Sequence, residues 1–278
     1  MSAVSLGMTK AKTPKKPDTS PKVYQREKID FDLHIRNLPW TPKQEALFEL
    51  GVRKDARIIF LSGPAGSSKT TCAMRIALQL LNEKKVSDIV CVRAAVESSD
   101  AKLGYLPGDI TDKYGPYMGP FEDKLEELLP EAEVKKLKAD NRIDYKPINF
   151  VRGASWTARC VILDECQNLT INELQTLMTR IGKFTKMIIC ADSKQSDLPK
   201  SKQGAFERCS KMFDTDEARA FGVYSLGFTN EDIVRSELCR FIVEAFETNH
   251  YLLHPEQQKP AHPTDPMVML APWRPGEV

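Results

Sequence analysis

The feature that most constrains the fold is a glycine-containing loop at residues 63–70 (GPAGSSKT). It follows the apolar run 57–61 and precedes a helical pattern of apolar residues. This order of strand, loop and helix places backbone N–H groups at the amino end of a helix, where they can surround a phosphate. In loops of this kind the lysine reaches the terminal phosphates and the next hydroxyl ligates Mg²⁺. The sequence therefore predicts a nucleotide site that contains Lys69 and Thr70.

One position departs from the common pattern G-x-x-x-x-G-K-[ST]. Glycine normally precedes the lysine, and Ser68 stands there instead. Glycine lets the backbone approach a phosphate closely, whereas serine adds a small hydroxyl and is favoured at the amino ends of helices. We therefore expect Ser68 to alter the affinity for nucleotide rather than abolish binding.

The composition is typical of a globular protein. Of the 278 residues, 41% are hydrophobic and 28% charged, and no apolar run approaches the roughly 18 to 20 residues of a membrane span. The amino end lacks the charged and apolar regions of a signal peptide. Seven cysteines without CxxC spacing favour reduced thiols packed in the core. We expect a cytoplasmic, single-domain protein with no membrane partner.

Both ends of the sequence lack the apolar periodicity of folded elements. Residues 1–29 are rich in lysine and arginine and contain prolines, which predicts a disordered basic tail. This tail could contact nucleic acid, or it could be a solvated segment without a specific function. Residues 251–278 are broken by prolines and predict a second tail. The folded domain is therefore predicted over residues 30–250.

Strand and helix signals alternate after the phosphate loop, which predicts parallel strands joined by crossover helices. Helical patterns follow Lys69, cover 121–138 with a new start at Pro130, and begin again at the capping residues Thr170 and Thr229. The further strands are predicted at 88–93, 145–151, 160–165, 186–191 and 221–226, and residues 104–120, rich in glycine, proline and tyrosine, are predicted to form an ordered surface loop.

A second informative feature is the apolar run at 160–165 (CVILDE), which ends on Asp164 and Glu165. Parallel strands end at one edge of the sheet, where the ligands of open α/β folds bind. Asp164 would hold Mg²⁺ through water, and Glu165 would polarise a hydrolytic water. A strand that simply ends in solvated acids is the alternative, which the phosphate loop upstream argues against. The next strand leads to another polar loop, in which Gln195 could sense a γ-phosphate.

Several segments, in this order, resemble the PhoH-like family of P-loop ATPases, relatives of the core domain of superfamily 1 helicases. The resemblance covers roughly residues 44–247 and implies an α/β fold: a single RecA-like P-loop NTPase domain with a central, mostly parallel sheet flanked by helices. Besides the phosphate loop, the matching segments are 92–96 (VRAAV), 103–108 (LGYLPG), 151–153 (VRG), 161–168 (VILDECQN), 179–182 (TRIG), 192–199 (DSKQSDLP) and 232–235 (DIVR).

The resemblance implies roles for individual residues, with ATP and Mg²⁺ as the cofactors. Gln195 matches the glutamine that contacts the γ-phosphate, and Gln44 resembles the upstream glutamine that reads the adenine edge in related helicases. Thr70 and Asp164 would hold Mg²⁺. The residues expected to bind nucleotide are Gln44, Gly63, Pro64, Ala65, Gly66, Ser67, Ser68, Lys69, Thr70 and Thr71, and those expected to act in catalysis are Lys69, Glu165, Gln195, Arg180 and Arg235.

Hydrolysis also requires positive charge that neutralises the transferred phosphoryl group. A superfamily 1 helicase closes its site with a second core domain, for which we expect no room in the folded length of this chain. The hypothesis is a homo-oligomer, such as a hexameric ring, in which Arg180, Arg235 or Arg152 enters the neighbouring subunit's site. Each arginine could instead form a surface salt bridge or act in its own site.

The resemblance also implies RNA or single-stranded nucleic acid as a partner. Arg93, Lys102, Tyr105 and Lys113 lie in a region that could contact backbone and bases, or could only stabilise its own loop. Two functions remain as alternatives to an ATPase. One is a nucleotide-controlled oligomeric switch or scaffold, in which Ser68 slows turnover. The other is a small-molecule kinase, which is disfavoured because the paired carboxylates suit the activation of water.

Overall fold

The computed structural model describes residues 26–94, 110–148, 151, 155–192, 195–196, 198 and 203–249. Within these ranges the chain forms a layer of strands with helices packed against it. The strands are β1 (Ile58–Ser62), β2 (Asp88–Arg93), β3 (Ile143–Pro147), β4 (Arg159–Asp164), β5 (Lys186–Ala191) and β6 (Val223–Gly227). The helices are α1 (Pro42–Val52), α2 (Lys69–Asn82), α3 (Ile110–Leu128), α4 (Glu131–Ala139), α5 (Ile171–Met178), α6 (Ala205–Met212), α7 (Asp216–Ala220) and α8 (Glu237–Thr248).

The six strands form one sheet in the order β3-β2-β4-β5-β1-β6. Every pairing between neighbours is parallel, which confirms the predicted α/β fold with a central parallel sheet. Strand β1 lies between β5 and β6, and β4 is the next strand beyond β5. The segments that follow β1, β4 and β5 therefore leave the same edge of the sheet close together.

Alternate residues of the central strands pack into two separate hydrophobic cores, because side chains in a strand point to opposite faces. Ile59 and Ile162 belong to the core that helices α1 to α4 help to form, whereas Phe60 and Val161 belong to the core on the α5 and α6 side. Helix α2 buries its apolar residues completely against the sheet: Ala73, Ile76 and Ala77 are each 0% exposed. The phosphate loop is thus anchored by buried elements at both ends.

The prediction of a loop at 104–120 is wrong for residues 110–120, which belong to helix α3. Glycine and proline both disfavour helix interiors, so the composition argued for a loop. The helix persists because Phe121, Leu125 and Leu128 form a fully buried face that packs into the first core. Smaller differences affect two strands: β3 begins and ends earlier than predicted, and β6 begins later.

The prediction that a helix begins at Thr229 is also wrong. The capping box of Thr229 and Asp232 is present, but it caps a short 3₁₀ turn, Asn230–Asp232. Helix α8 begins only after Ser236, whose side chain accepts a hydrogen bond from the Cys239 N–H. Asp232 is used in a tertiary contact, because its Oδ1 also accepts a hydrogen bond from the Thr41 hydroxyl at 2.5 Å. Ile233 then has an extended backbone, which separates the turn from the helix.

Several predicted features lie outside the described residues. These are most of the two tails (residues 1–25 and 250–278), together with Lys102, Tyr105, Arg152 and the Lys113 side chain. The domain boundaries at 30 and 250 stay predictions. Over the described ranges, none of the helices combines the length and the apolar character that crossing a membrane would require.

Candidate nucleotide site

The phosphate loop has two residues in the left-handed backbone region, Gly66 at φ 80° and Ser68 at φ 58°. Glycine adopts this region freely, but a residue with a Cβ is strained there. This conformation is a structural reason for the glycine that usually precedes the lysine. Ser68 stands at the N-cap position of α2, yet its side chain makes no capping hydrogen bond. The benefit that serine normally gives to a helix start is therefore absent here.

Contacts within the loop hold Lys69 over the loop's own backbone. Its Nζ donates to the carbonyl oxygens of Gly63 and Pro64, at 2.8 and 2.9 Å. The Ser67 hydroxyl donates to the same Pro64 oxygen at 2.7 Å. Gly63 is tightly enclosed, since a Cβ added there would lie 2.8 Å from the Cβ of Phe228. The Lys69 ammonium group is thus held against the carbonyl oxygens of its own loop.

Thr70 and Asp164, the two predicted magnesium ligands, lie in direct contact. The Thr70 hydroxyl donates to Asp164 Oδ1 at 3.0 Å. Asp164 is only 4% exposed, and burial, followed by the neighbouring charge of Glu165, raises the pKa of its carboxyl. A bound cation would relieve that cost, because it favours the ionised form.

The oxygen donors at this position fit Mg²⁺. Magnesium prefers hard oxygen ligands, usually binds one or two carboxylates, and keeps waters and substrate phosphates in its other positions. Asp164 and Thr70 supply one carboxylate and one hydroxyl. Within the described part of the chain there is no group of three or more His, Cys, Asp or Glu residues arranged as a metal site. A cation here would therefore rely on the nucleotide for several of its ligands.

Glu165 directly follows β4 and has a left-handed backbone, with φ 57° and ψ 36°. Both of its carboxylate oxygens have partners. Arg93 donates to Oε1 at 3.1 Å, and the Gln167 amide donates to Oε2 at 2.6 Å. Strained backbone of this kind often occurs at functional sites. The Glu165 side chain lines the same cleft as the phosphate loop.

A cleft of about 570 Å³ brings most of the predicted site residues together. Its lining includes the phosphate loop, Asp164, Glu165, Gln195 and Arg235. Gln195 is tied to the end of β5, because its N–H donates to the Asp192 carbonyl at 3.1 Å. The predicted residues that line the cleft directly are Ala65, Gly66, Ser68, Lys69, Thr70, Thr71, Asp164, Glu165, Gln195 and Arg235.

Arg180 and Gln44 lie elsewhere. Helix α5 starts at the edge where β4 ends and runs back across the sheet, so Arg180 reaches the opposite edge, where its carbonyl accepts the Trp156 N–H at 3.1 Å. Gln44 is fully buried. Its amide donates to the carbonyls of Ser67 and Asp232, at 3.2 and 3.4 Å, so it connects α1 to the back of the phosphate loop. Its contact with adenine stays a prediction.

Comparison with known proteins identifies the family. The sequence profile of the family described as PhoH-like protein matches residues 38–247. The chain belongs to the PhoH-like family. A PhoH-like protein of Synechocystis sp. is 34% identical over 190 residues, which cover 68% of this chain and 56% of the relative. Protein PhoH of Escherichia coli K12 is 32% identical over 211 residues, covering 75% and 58%. The chain thus spans somewhat more than half the length of these curated relatives.

Solved structures give only a distant likeness. The Pif1 helicase of Candida albicans matches with a TM-score of 0.34 and 14% identity, over 69% of this chain and 41% of that one. A Pif1 helicase from Bacteroides, described in complex with ADP-AlF3 and single-stranded DNA, matches with a TM-score of 0.33 and 17% identity, over 69% and 42%.

The PhoH-like domain also has site residues that the sequence reasoning missed. Gln167 lines the cleft and is 4% exposed. Lys124 and Glu127, which form an ion pair at 2.8 Å, contribute a wall from α3. Gln167 could have been predicted, because it is a polar residue within the matching segment 161–168. No local signal indicated the α3 wall, because it depends on how the helix packs across the sheet edge.

Proposed function

We propose that this PhoH-like domain binds ATP and hydrolyses it in a Mg²⁺-dependent reaction. The observation that carries the proposal is the 3.0 Å contact between Thr70 Oγ1 and Asp164 Oδ1. It joins the helix that starts at the phosphate loop to the carboxyl end of β4. Lys69 and Glu165, which the reaction would also need, line the same cleft. A phosphate-binding loop and a cation site are thus adjacent, as metal-assisted phosphoryl transfer requires.

The side chains have separate roles in the proposed reaction. Lys69 exchanges its loop carbonyls for the oxygens of the terminal phosphates. Glu165 accepts a proton from the attacking water, and Gln195 contacts the γ-phosphate at the far side of the cleft. Mg²⁺, held by Thr70 and Asp164, would neutralise charge on the phosphate oxygens. Most of the rate enhancement in such a reaction comes from positioning and electrostatic stabilisation.

The direct test is phosphate release measured with and without Mg²⁺. Lys69→Ala should weaken ATP binding, and Glu165→Gln should lower turnover by about 10²- to 10⁴-fold, to a residual rate that can still be measured, while ATP still binds. Thr179→Ala, on the exposed carboxyl end of α5, is the control and should behave as wild type. Wild-type protein that binds ATP but releases phosphate no faster than Glu165→Gln would reject the hydrolase.

That result would favour the second candidate, a nucleotide-controlled oligomeric switch or scaffold. A specific observation supports this candidate: both oxygens of Glu165 are already bonded, to Arg93 and Gln167. Donors held on both oxygens stabilise the ionised carboxylate and make it a weaker base toward water until one partner leaves. The switch predicts ATP-dependent changes in assembly without turnover, which light scattering can measure on the same samples.

The proposal includes a homo-oligomer in which an arginine crosses between subunits. Arg235 lies in the cleft of its own chain and can act there. Arg180 lies at the opposite edge of the sheet, which makes it the better candidate for a neighbour's site in a head-to-tail ring. Mixing Lys69→Ala with Arg180→Ala subunits should restore part of the ATPase activity, because some interfaces then have both groups. A monodisperse monomer with full activity would reject this arrangement.

Coupling to RNA or single-stranded nucleic acid rests on the family resemblance. Of the four residues suggested for it, only the Arg93 side chain is described, and its guanidinium pairs with Glu165 in the nucleotide cleft. Arg93 is therefore better placed for nucleotide than for a nucleic-acid strand. The ATPase rate with and without single-stranded RNA tests the coupling, and an unchanged rate at saturating RNA and DNA would remove this partner.

A further inference from the structure

Gln167 lies in the short 3₁₀ turn Cys166–Asn168 that follows β4, and it is almost completely buried, at 4% exposure. Both ends of its amide are used. Nε2 donates to Glu165 Oε2 at 2.6 Å, and Oε1 accepts the Asp192 N–H at 3.0 Å. Asp192 is the first residue after β5. The side chain therefore bridges the carboxyl ends of two adjacent strands.

The chemistry of its partners fixes the orientation of the Gln167 amide. An ionised carboxylate can only accept hydrogen bonds, and a backbone N–H can only donate them. The amide nitrogen must therefore face Glu165 and the amide oxygen must face Asp192. Reversing the amide would break both bonds, and leaving either group unpaired in a buried place is costly. Gln167 thus connects the Asp192 backbone to the Glu165 carboxylate in a single amide orientation.

The loop after β5 also contacts the backbone of Gln167. Ser196 donates its hydroxyl to the Gln167 carbonyl at 2.9 Å. Gln195, which would contact the γ-phosphate, lies between the two attachment points and donates its N–H to the Asp192 carbonyl. A displacement of this loop must therefore move Gln167, and with it the carboxylate of Glu165.

We propose that Gln167 is a positioning residue that couples the loop carrying Gln195 to the catalytic carboxylate of Glu165. It anchors Oε2 of Glu165 throughout the cycle and leaves Oε1 to accept the proton of the attacking water. Arg93, which holds Oε1 in this structure, has a side chain that is 26% exposed and lines the cleft. Its guanidinium can therefore move to phosphate oxygens, a preferred partner of arginine. This inference rests on the proposed hydrolase.

Two substitutions of Gln167 distinguish the contributions of its two hydrogen bonds. Gln167→Glu keeps an oxygen that can accept the Asp192 N–H but replaces the amide donor to Glu165 with a carboxylate that repels it. Gln167→Met keeps the length of the side chain and loses both bonds. We expect both variants to lower kcat by 10- to 100-fold, as loss of residues that orient a ligand or catalytic group often does. The KM for ATP should stay within about threefold. Gln175→Met, on the exposed side of α5, should change neither constant.

A double-mutant cycle distinguishes positioning from a purely structural role. In the Glu165→Gln background, Gln167→Met should cause no further loss of kcat, because the carboxylate that it orients has been removed. An equal loss in both backgrounds would overturn the proposal.

Hydrogen exchange of the Asp192 amide tests the connection without any turnover. Gln167→Met should accelerate this exchange by tenfold or more, and Gln167→Glu, which keeps the acceptor for the Asp192 N–H but loses the anchor on Glu165, should accelerate it less. Glu165→Ala should also accelerate it, because Gln167 then loses its anchor. If wild-type protein proves inactive but these exchange rates change as expected, the proposed function fails while the coupling stands. If Glu165→Ala leaves the Asp192 amide unchanged, the coupling is rejected whatever the activity.

Discussion

Replacing Ser68 with glycine is expected to stabilise the protein, although it removes a side chain from the nucleotide site. Ser68 has φ 58° and ψ 29° and makes no capping bond through its side chain. The left-handed conformation costs a residue with a Cβ about 1 to 2 kcal/mol. Glycine avoids this cost but loses more chain entropy on folding, by roughly 0.5 to 1 kcal/mol. The balance is a gain of about 0.5 to 1 kcal/mol in the free energy of unfolding.

Urea unfolding of the nucleotide-free protein measures this difference, and the melting temperature should rise by about 1 to 3 °C. Ser68→Ala is the matched control: it keeps the Cβ and the strain, so its stability should stay within about 0.5 kcal/mol of wild type. Lys84 is an exposed residue with the same φ of 58°, and Lys84→Gly should stabilise by a similar amount. If Lys84→Gly stabilises the protein while Ser68→Gly destabilises it, backbone strain does not govern the energetics of the loop.

Two further predictions concern the core. Gly182→Ala should cost about 1 to 3 kcal/mol, because its Cβ would overlap the Trp156 carbonyl oxygen. Gly119→Ala, in α3 with open space around it, should not destabilise; equal urea midpoints for the two variants would contradict this. Burial raises the pKa of the Cys72 and Cys160 thiols to about 12. Because unfolded thiols ionise near pH 9, stability should fall above that pH, by about 1.4 kcal/mol per pH unit for each thiol. In reducing buffer, Cys160→Ala should show a shallower fall than wild type, and an identical slope would refute the assignment.

The sequence was most informative where local pattern and burial agree. Apolar runs bounded by polar residues located β1, β2, β4 and β5 to within one residue, because strands buried on both faces are continuously hydrophobic. The family resemblance brought Thr70 and Asp164 together as expected Mg²⁺ ligands, and the two side chains are in contact. Predictions failed where a distant contact decides the local structure. Asp232 bonds to Thr41, 191 positions away in the sequence, and no local signal separates that contact from a helix cap.

Side-chain partners in the cleft were the least predictable part of the site. The sequence placed Glu165 correctly at the end of β4, but its partners come from β2 and from the following turn. Arg93 faces it because β2 and β4 are neighbours in register, with Arg93 opposite Asp164. That register results from packing of the whole sheet. Nor did the sequence indicate that the Gln44 amide bonds to the backbone of the phosphate loop.

Three cations of the cleft, Lys69, Arg93 and Lys124, already have acceptors in the protein, and this determines what nucleotide binding must achieve. Lys69 donates to two carbonyls, Arg93 pairs with Glu165, and Lys124 pairs with Glu127. A triphosphate that engages these groups must replace existing hydrogen bonds, so its binding free energy is a difference between two sets of contacts. In this exchange Lys69 gives up two hydrogen bonds to its own loop, and Arg93 gives up its ion pair with Glu165. In the proposed reaction, Arg93 would leave Glu165 and free the oxygen that accepts the proton, so the same exchange that binds phosphate would prepare the base.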